Sequence, residues 1–367
     1  MCTSLLYLDA QNRAYLGRTL ELSLELPYQV AFFPRNQILT STVANQAPLN
    51  WSMRYATLAV TMPETPPAPN EPLTAQNSKI VEGVNEAGLT FSVQAYSQTK
   101  GTQPALDPKQ AALSAADLGT YVLGRFGSVE EVKQGLEQLP IVLESVAILG
   151  GLAMPFHYAV HDATGKSLVI EFHQGVRTIY DNPVGVMTNA PQFSWHLTNL
   201  NNYTFLSNVD HSHARFMNYE AVQAGAGIAK AGLPASDTSV DRFVRAAYYA
   251  QFSEKQTDPD KAVQMIAHIM NNFDRPRGLC IDPPEQGSSH LQFVGHESEA
   301  IPTEFTTWTS LTDLERRLLF LRDSGGMNYV RLDLMSLVEQ TDFCVLPMAQ
   351  LMPSMPDSTA QFVRSLS

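Results

Sequence analysis

The sequence predicts an α+β chain in which two antiparallel sheets pack face to face with helices outside, a four-layer αββα sandwich. Three observations carry this expectation: short apolar runs suited to strands fill the N-terminal part, helical patterns follow, and the strand-then-helix order repeats. The chain has 367 residues at 44% hydrophobic, with no internal repeat and no low-complexity tract, enough for a large core in one domain over residues 1–367.

The first strands are expected at residues 5–8, 14–20, 28–33 and 55–62. In residues 89–96, Leu89, Phe91, Val93 and Ala95 alternate with Thr90, Ser92 and Gln94, the period of a half-buried strand. These segments read as one antiparallel sheet, and residues 62–77, which hold five prolines, read as a surface loop. A helix rich in Ala and Leu is expected over 111–126. Ser128-Val129-Glu130-Glu131 is a capping-box start for a second, with Val129, Val132, Leu136 and Leu139 on one face. Strand signals resume at 158–161 and 167–172 around the turn Asp162-Ala163-Thr164-Gly165, and again at 177–188, implying a second sheet. Helical patterns are expected over 214–228, 239–252 and 258–273, and strands over 304–311 and 316–321.

Composition excludes several classes of function. Lys plus Arg is 24 against Asp plus Glu 36, a formal net charge of -12, so the chain as a whole has no attraction to nucleic acid or anionic membranes. The start of the chain shows no signal-peptide pattern, and the most apolar window, 140–156, is too short and too broken to span about 30 Å of hydrocarbon. A cytoplasmic, soluble protein is expected. Three cysteines, Cys2, Cys280 and Cys344, with no CxxC pair, argue against a disulfide framework and a thiolate zinc site. No Walker A, HExxH or GxSxG occurs; Gly225-Ala226-Gly227 reads as a loop at a helix end, and His211 and His213 as solvated residues and not metal ligands. No cofactor is expected.

Cys2 stands out for its place. Removal of an initiator methionine before this small residue leaves a thiol and a free α-amine on one residue, and an amine with a pKa of about 7.7–8.0 can take the thiol proton. Nucleophile and base are then combined. Cys344, between Phe343 and Val345, reads as a buried structural thiol.

The segments Cys2-Thr3-Ser4, Gly17-Arg18-Thr19-Leu20-Glu21 and Phe33-Pro34-Arg35-Asn36 are followed by Glu82-Gly83-Val84-Asn85-Glu86-Ala87-Gly88-Leu89. Asn182-Pro183-Val184-Gly185-Val186-Met187-Thr188-Asn189-Ala190-Pro191 and Arg242-Phe243-Val244-Arg245 come next. In this order behind an N-terminal cysteine they resemble the choloylglycine hydrolase family of bile salt hydrolases and penicillin V acylases, in the N-terminal nucleophile superfamily. The resemblance implies Cys2 as nucleophile, Arg18 beside its thiolate, Asn189 and the Ala95 N–H as oxyanion donors, and Arg242 ordering the polar network. It also implies a homotetramer held partly by residues 197–217.

Two positions depart from the family pattern. Glu21 stands where an aspartate usually holds the α-amine, so that contact must be re-aimed or carried by water. Leu22 and Ala95 replace tryptophans that line the acyl pocket in some penicillin V acylases, implying an aliphatic pocket to which Leu22, Leu24, Leu26 and Met53 contribute. The implied activity is cysteine-dependent hydrolysis of a small-molecule N-acyl amide, with penicillin V and N-acyl homoserine lactones ahead of conjugated bile salts. Glu21 is the feature that favours the other class, a non-enzymatic acyl-ligand binding protein. A papain-like protease lacks a recognisable histidine motif.

Overall fold

Strands from widely separated parts of the chain interleave to make two antiparallel sheets in a computed structural model that describes residues 1–64, 71–146, 152–282, 301–302 and 304–352. In chain order they are β1 (Cys2–Leu8), β2 (Ala14–Leu22), β3 (Gln29–Phe33), β4 (Thr57–Pro63), β5 (Ser78–Asn85), β6 (Thr90–Ala95) and β7 (Phe156–His161). Then follow β8 (Ser167–His173), β9 (Val176–Asp181), β10 (Val186–Met187), β11 (Phe305–Asp313), β12 (Leu318–Asp323), β13 (Val330–Asp333) and β14 (Cys344–Pro347). A six-stranded sheet runs β10-β1-β2-β11-β12-β13, and an eight-stranded sheet runs β9-β8-β7-β6-β5-β4-β3-β14. Helices α1 (Leu118–Arg125) and α2 (Val129–Glu137) cover the outer face of the larger sheet, while α3 (Phe193–Leu200), α4 (Ser239–Phe252) and α5 (Pro259–Met270) cover that of the smaller. The αββα layering is as the sequence predicts.

The grouping of strands is not. Local alternation puts the N-terminal strands in one sheet, yet β1 and β2 join the six-stranded sheet and β3 to β6 the eight-stranded one. Strand β2 is buried along its whole length and takes β11 as its second neighbour, a pairing from far downstream. Period-two patterning reports which face of a strand is buried, not which strand lies alongside it. For the same reason residues 177–188 split: β9 ends at Asp181, and β10 crosses to pair with β1, Ser4 opposite Met187.

Between the sheets lies a core in which Leu20, Leu22, Trp308, Leu319 and Leu321 of the smaller sheet meet Val30, Phe32, Leu58, Val60 and Val84 of the larger. Cys2 is part of it.

Caps account for the helix starts. Ser128 Oγ accepts from Glu131 N at 3.2 Å, and Glu131 Oε2 reaches back to Gly127 N at 2.8 Å. The Thr238 and Asp258 side chains cap α4 and α5 by accepting from first-turn N–H groups, those of Asp241 and of Asp260 and Lys261. The helix expected over 111–126 begins only at Leu118, because Leu113–Ser114 is a short strand and Ser114 Oγ caps a 3-10 turn over Ala115–Asp117. The helix expected over 214–228 is instead a hairpin of His213–Phe216 and Tyr219–Val222, with Met217 in the turn at φ 52°. His213 to Glu220 are exposed, so no core face is offered to a helix, and Phe216, Tyr219 and Val222 favour extended backbone. Gly225-Ala226-Gly227 therefore follows a hairpin and leads into the 3-10 turn Ile228–Lys230.

Cys344 is exposed, not buried. On edge strand β14 its neighbours point inward, Phe343 packing on Phe33 at 5.1 Å between ring centroids, and strand alternation turns Cys344 outward. Of the proline-rich loop 62–77, residues 65–70 lie outside the described residues, as do 147–151 of the apolar window 140–156. Among the described residues no helix is long and apolar enough to cross a membrane.

Candidate active site

Strand pairing assembles the site. Cys2 lies opposite Leu20 and Ser4 opposite Arg18 in the β1–β2 hairpin, β10 delivers Thr188 and Asn189 beside Cys2, and α4 lies across β1 with Arg242 directed at it. A bulge between Leu20 and Glu21 against β11 leaves Thr307 as the extra residue, and its Oγ1 donates to Leu20 O at 3.1 Å. The bulge sets Glu21 opposite Thr306.

Cys2 is 4% exposed, and its sulfur lies 3.6 Å from Arg18 Nη2. Arg18 is itself buried: its guanidinium stacks over Trp308 at 4.7 Å and bonds Val93 O, Val81 O and Glu82 of the opposite sheet. Burial pushes the Glu82 carboxyl up to about 7, against the pull of Arg18. A guanidinium fixed in this way stabilises negative charge on sulfur.

On the other flank, Asn189 Oδ1 accepts from Cys2 N at 3.0 Å and from Arg242 Nη2 at 2.7 Å. Arg242 also donates to Cys2 O, to Thr3 Oγ1 at 2.6 Å and to Asp237 O at 2.9 Å. Asn189 is pinned through its backbone, its N–H donating to Ser239 Oγ at 2.9 Å and its carbonyl accepting from His196 Nε2 at 2.9 Å. Successive residues of a strand turn their N–H and C=O to opposite edges. Tyr96 N–H donates to Pro155 O at 2.7 Å, so Ala95 turns both of its groups to the other edge, where Asn189 Nδ2 donates to Ala95 O at 2.8 Å. All of Cys2, Arg18, Ala95, Asn189 and Arg242 are thus joined to one another by direct bonds or shared partners.

Glu21 sits differently from the expectation. Its carboxylate is fully buried, accepts a long 3.4 Å bond from Thr306 Oγ1, and is held above the usual carboxylate range by burial, with Arg242 and the chain's ammonium opposing. The ammonium of Met1 rests on the Glu21 backbone carbonyl and on Glu304 Oε2 at 2.9 Å, so the re-aimed amine contact falls on Glu304 in the Met1-bearing chain.

Two expectations about the acyl pocket are corrected. Met53 is buried on the far side of the larger sheet, against Gly124 of α1, and cannot line a slot at Cys2. The apolar surroundings of Cys2 are not purely aliphatic, because Trp308 and Tyr28 pack edge-on at 5.6 Å within the same cluster. Leu22, Leu24 and Leu26 do pack there. Nothing local in the sequence marks Trp308 and Glu82, which meet Arg18, or Glu304, which meets the Met1 ammonium, as parts of this site, since each comes from a distant part of the chain. His211 and His213 are exposed, and among the described residues no group of three or more His, Cys, Asp or Glu is placed to hold a metal ion.

A family model for linear amide C-N hydrolases, choloylglycine hydrolase family, matches residues 2–345. The chain belongs to the choloylglycine hydrolase family. It is a hydrolase of linear amide C–N bonds. Choloylglycine hydrolase relatives include a bile salt hydrolase/transferase of Lactiplantibacillus plantarum, 29% identical over 91% of this chain and 93% of that protein. A penicillin V acylase of Pectobacterium atrosepticum is 26% identical over 72% of this chain and 63% of its own length. The fold matches the C2A mutant of conjugated bile acid hydrolase from Clostridium perfringens with a TM-score of 0.76 at 21% identity, covering 97% of this chain and 99% of that one.

Proposed function

We propose that this member of the choloylglycine hydrolase family cleaves N-acyl amides through a thioester on Cys2, with penicillin V and N-acyl homoserine lactones as its substrate types. The observation that carries the reading is the convergence on Cys2 of a buried guanidinium at 3.6 Å from sulfur and an asparagine side chain at 3.0 Å from its nitrogen. Once Met1 is removed, that nitrogen is the α-amine. The amine takes the thiol proton, sulfur attacks the amide carbonyl, and the amine returns the proton to the leaving nitrogen; a water activated by the same amine then releases the acid. The oxyanion is received by the Ala95 N–H and by Asn189 Nδ2, which exchanges its bond to Ala95 O for the substrate. Arg242 holds Asn189 and the Cys2 carbonyl in place, and Glu21 places a buried carboxyl near Arg242.

Partly buried Leu24, Leu26 and Met62 beside Leu22 support an acyl chain entering over an aliphatic edge. Conjugated bile salts are the second reading, favoured by the relative named a bile salt hydrolase/transferase at 29% identity. Exposed Phe205, Val209, Phe216 and Met217 on and around residues 197–217 support association of copies, for which the tetramer is our proposal. Relative kcat/KM for penicillin V, a long-chain acyl homoserine lactone and glycocholate tests the ranking. Dominant glycocholate turnover overturns it.

A further inference from the structure

Glu82 lies in the Glu82-Gly83-Val84-Asn85 block, yet no step above uses it. The rest of that block has a visible structural purpose: Asn85 Nδ2 donates to Leu123 O and Phe126 O at 2.8 and 2.7 Å, tying β5 to the end of α1, and its Oδ1 accepts from Ala87 N and Leu89 N. Glu82 points the other way, into the core between the sheets. It is fully buried, opposite Ser92 in the β5–β6 register, with Oε2 3.3 Å from Arg18 Nη1. A buried carboxylate is costly to keep unless something requires it there.

Arg18 shows what that is. Its two terminal nitrogens divide their work. Nη1 faces Glu82 and Val81 O of β5, while Nη2 faces Val93 O of β6 and the Cys2 sulfur at 3.6 Å. Trp308 closes one face of the guanidinium plane. Because the group is planar and rigid, anchoring Nη1 fixes the direction of Nη2. Among the described residues Glu82 is the acidic partner in this arrangement, and Cys2 and Tyr28 are the other titratable groups facing Arg18.

We propose that Glu82 is a positioning residue of the reaction centre, clamping one end of Arg18 so that the other meets sulfur and setting, by its own charge, how much of the guanidinium's field the Cys2 thiolate feels. The proposal rests on Cys2 being the reacting group. Burial that lifts the Glu82 carboxyl to about 7 adds that the carboxylate forms as pH rises through neutrality. Below that range Arg18 is less neutralised and supports the thiolate more strongly; above it, Glu82 moderates the field.

The test follows the rate of Cys2 alkylation by iodoacetamide in processed protein carrying Cys280→Ser and Cys344→Ser, since both of those thiols are exposed and would otherwise react. The readout is the rate at pH 6 divided by that at pH 8. Glu82→Gln keeps the shape and removes a charge that the parent carries at pH 8 and largely lacks at pH 6, so the rate at pH 8 rises and the ratio is expected to fall about three- to tenfold below the parent's. Glu82→Asp keeps the charge one methylene further from Arg18, so a smaller fall is expected, and it decides the matter alone if melting curves show that Glu82→Gln does not fold. A ratio equal to or above the parent's in the folded variant overturns the proposal. Failure of the nucleophile assignment looks different: processed Cys2→Ala would then still hydrolyse amides, whatever Glu82 does to alkylation.

Discussion

Retaining Met1 is expected to disable the enzyme, and the structure says by how much. With Met1 in place Cys2 N is an amide that donates to Asn189 Oδ1 at 3.0 Å, and an amide nitrogen has no basicity to offer the thiol. The ammonium that does exist belongs to Met1 and is held by Glu304 Oε2 at 2.9 Å and by the Glu21 carbonyl, one residue removed from the sulfur. The Met1 sulfur also lies 3.2 Å from Arg242 Nη2, inside the polar network. Losing a positioned acid–base group costs about 10²- to 10⁴-fold in rate, or about 3–5 kcal/mol in the barrier. The assay compares two preparations of one sequence, expressed with and without inhibition of methionine aminopeptidase, their masses checked intact and their kcat/KM measured on penicillin V. The processed chain should be at least about a hundredfold faster. Equal rates for the two would refute an α-amine base.

Two further outcomes follow from the buried groups. Arg242→Lys keeps the charge but cannot reproduce the fork that reaches Cys2 O, Thr3 Oγ1, Asn189 Oδ1 and Asp237 O; with charged hydrogen bonds worth about 1.5–3 kcal/mol each, a drop in Tm and a fall in kcat of at least tenfold are expected. A variant with the parent's Tm and kcat would show that the network is dispensable. His161 is buried with neither ring nitrogen hydrogen-bonded among the described residues, and burial lowers its pKa to about 4. A histidine depressed on folding contributes stability above the unfolded value of about 6.5 and loses it as pH falls towards the folded value, up to about 3 kcal/mol. His161→Leu should therefore melt at or above the parent temperature at pH 7 and lose less on going to pH 5. An unchanged pH dependence would count against this. His196, also lowered to about 4, contributes in the same sense; Glu82, raised to about 7, loses its contribution as pH rises from the unfolded carboxylate range through neutrality and so offsets part of it.

The layers of the fold were legible because alternation and capping are local. Ser128 with Glu131, the apolar pattern of 239–252 and the Asp162 to Gly165 turn each carry their own signal. Sheet membership was not, because the neighbour of β2 is β11 and that of β1 is β10, pairings that no window around Cys2 contains. Within the site, Arg18, Ala95, Asn189 and Arg242 lie together around Cys2, whereas the Glu21 carboxyl turns to Thr306. What escaped were residues that matter through those residues: Glu82 and Trp308 on Arg18, His196 on the Asn189 carbonyl, Glu304 on the chain's ammonium. Cys344 and Met53 show the opposite error, in which apolar flanks or an apolar side chain were read without knowing which face they occupy.

The central claim is that Cys2 becomes acylated during turnover. Rapid acid quench of the processed enzyme with penicillin V, followed by peptide mass spectrometry, reports this directly. The account predicts a phenoxyacetyl adduct on the N-terminal cysteine peptide that hydroxylamine removes, and none on Cys280 or Cys344. Undiminished turnover by processed Cys2→Ala, with no adduct on residue 2 of the parent, would contradict it.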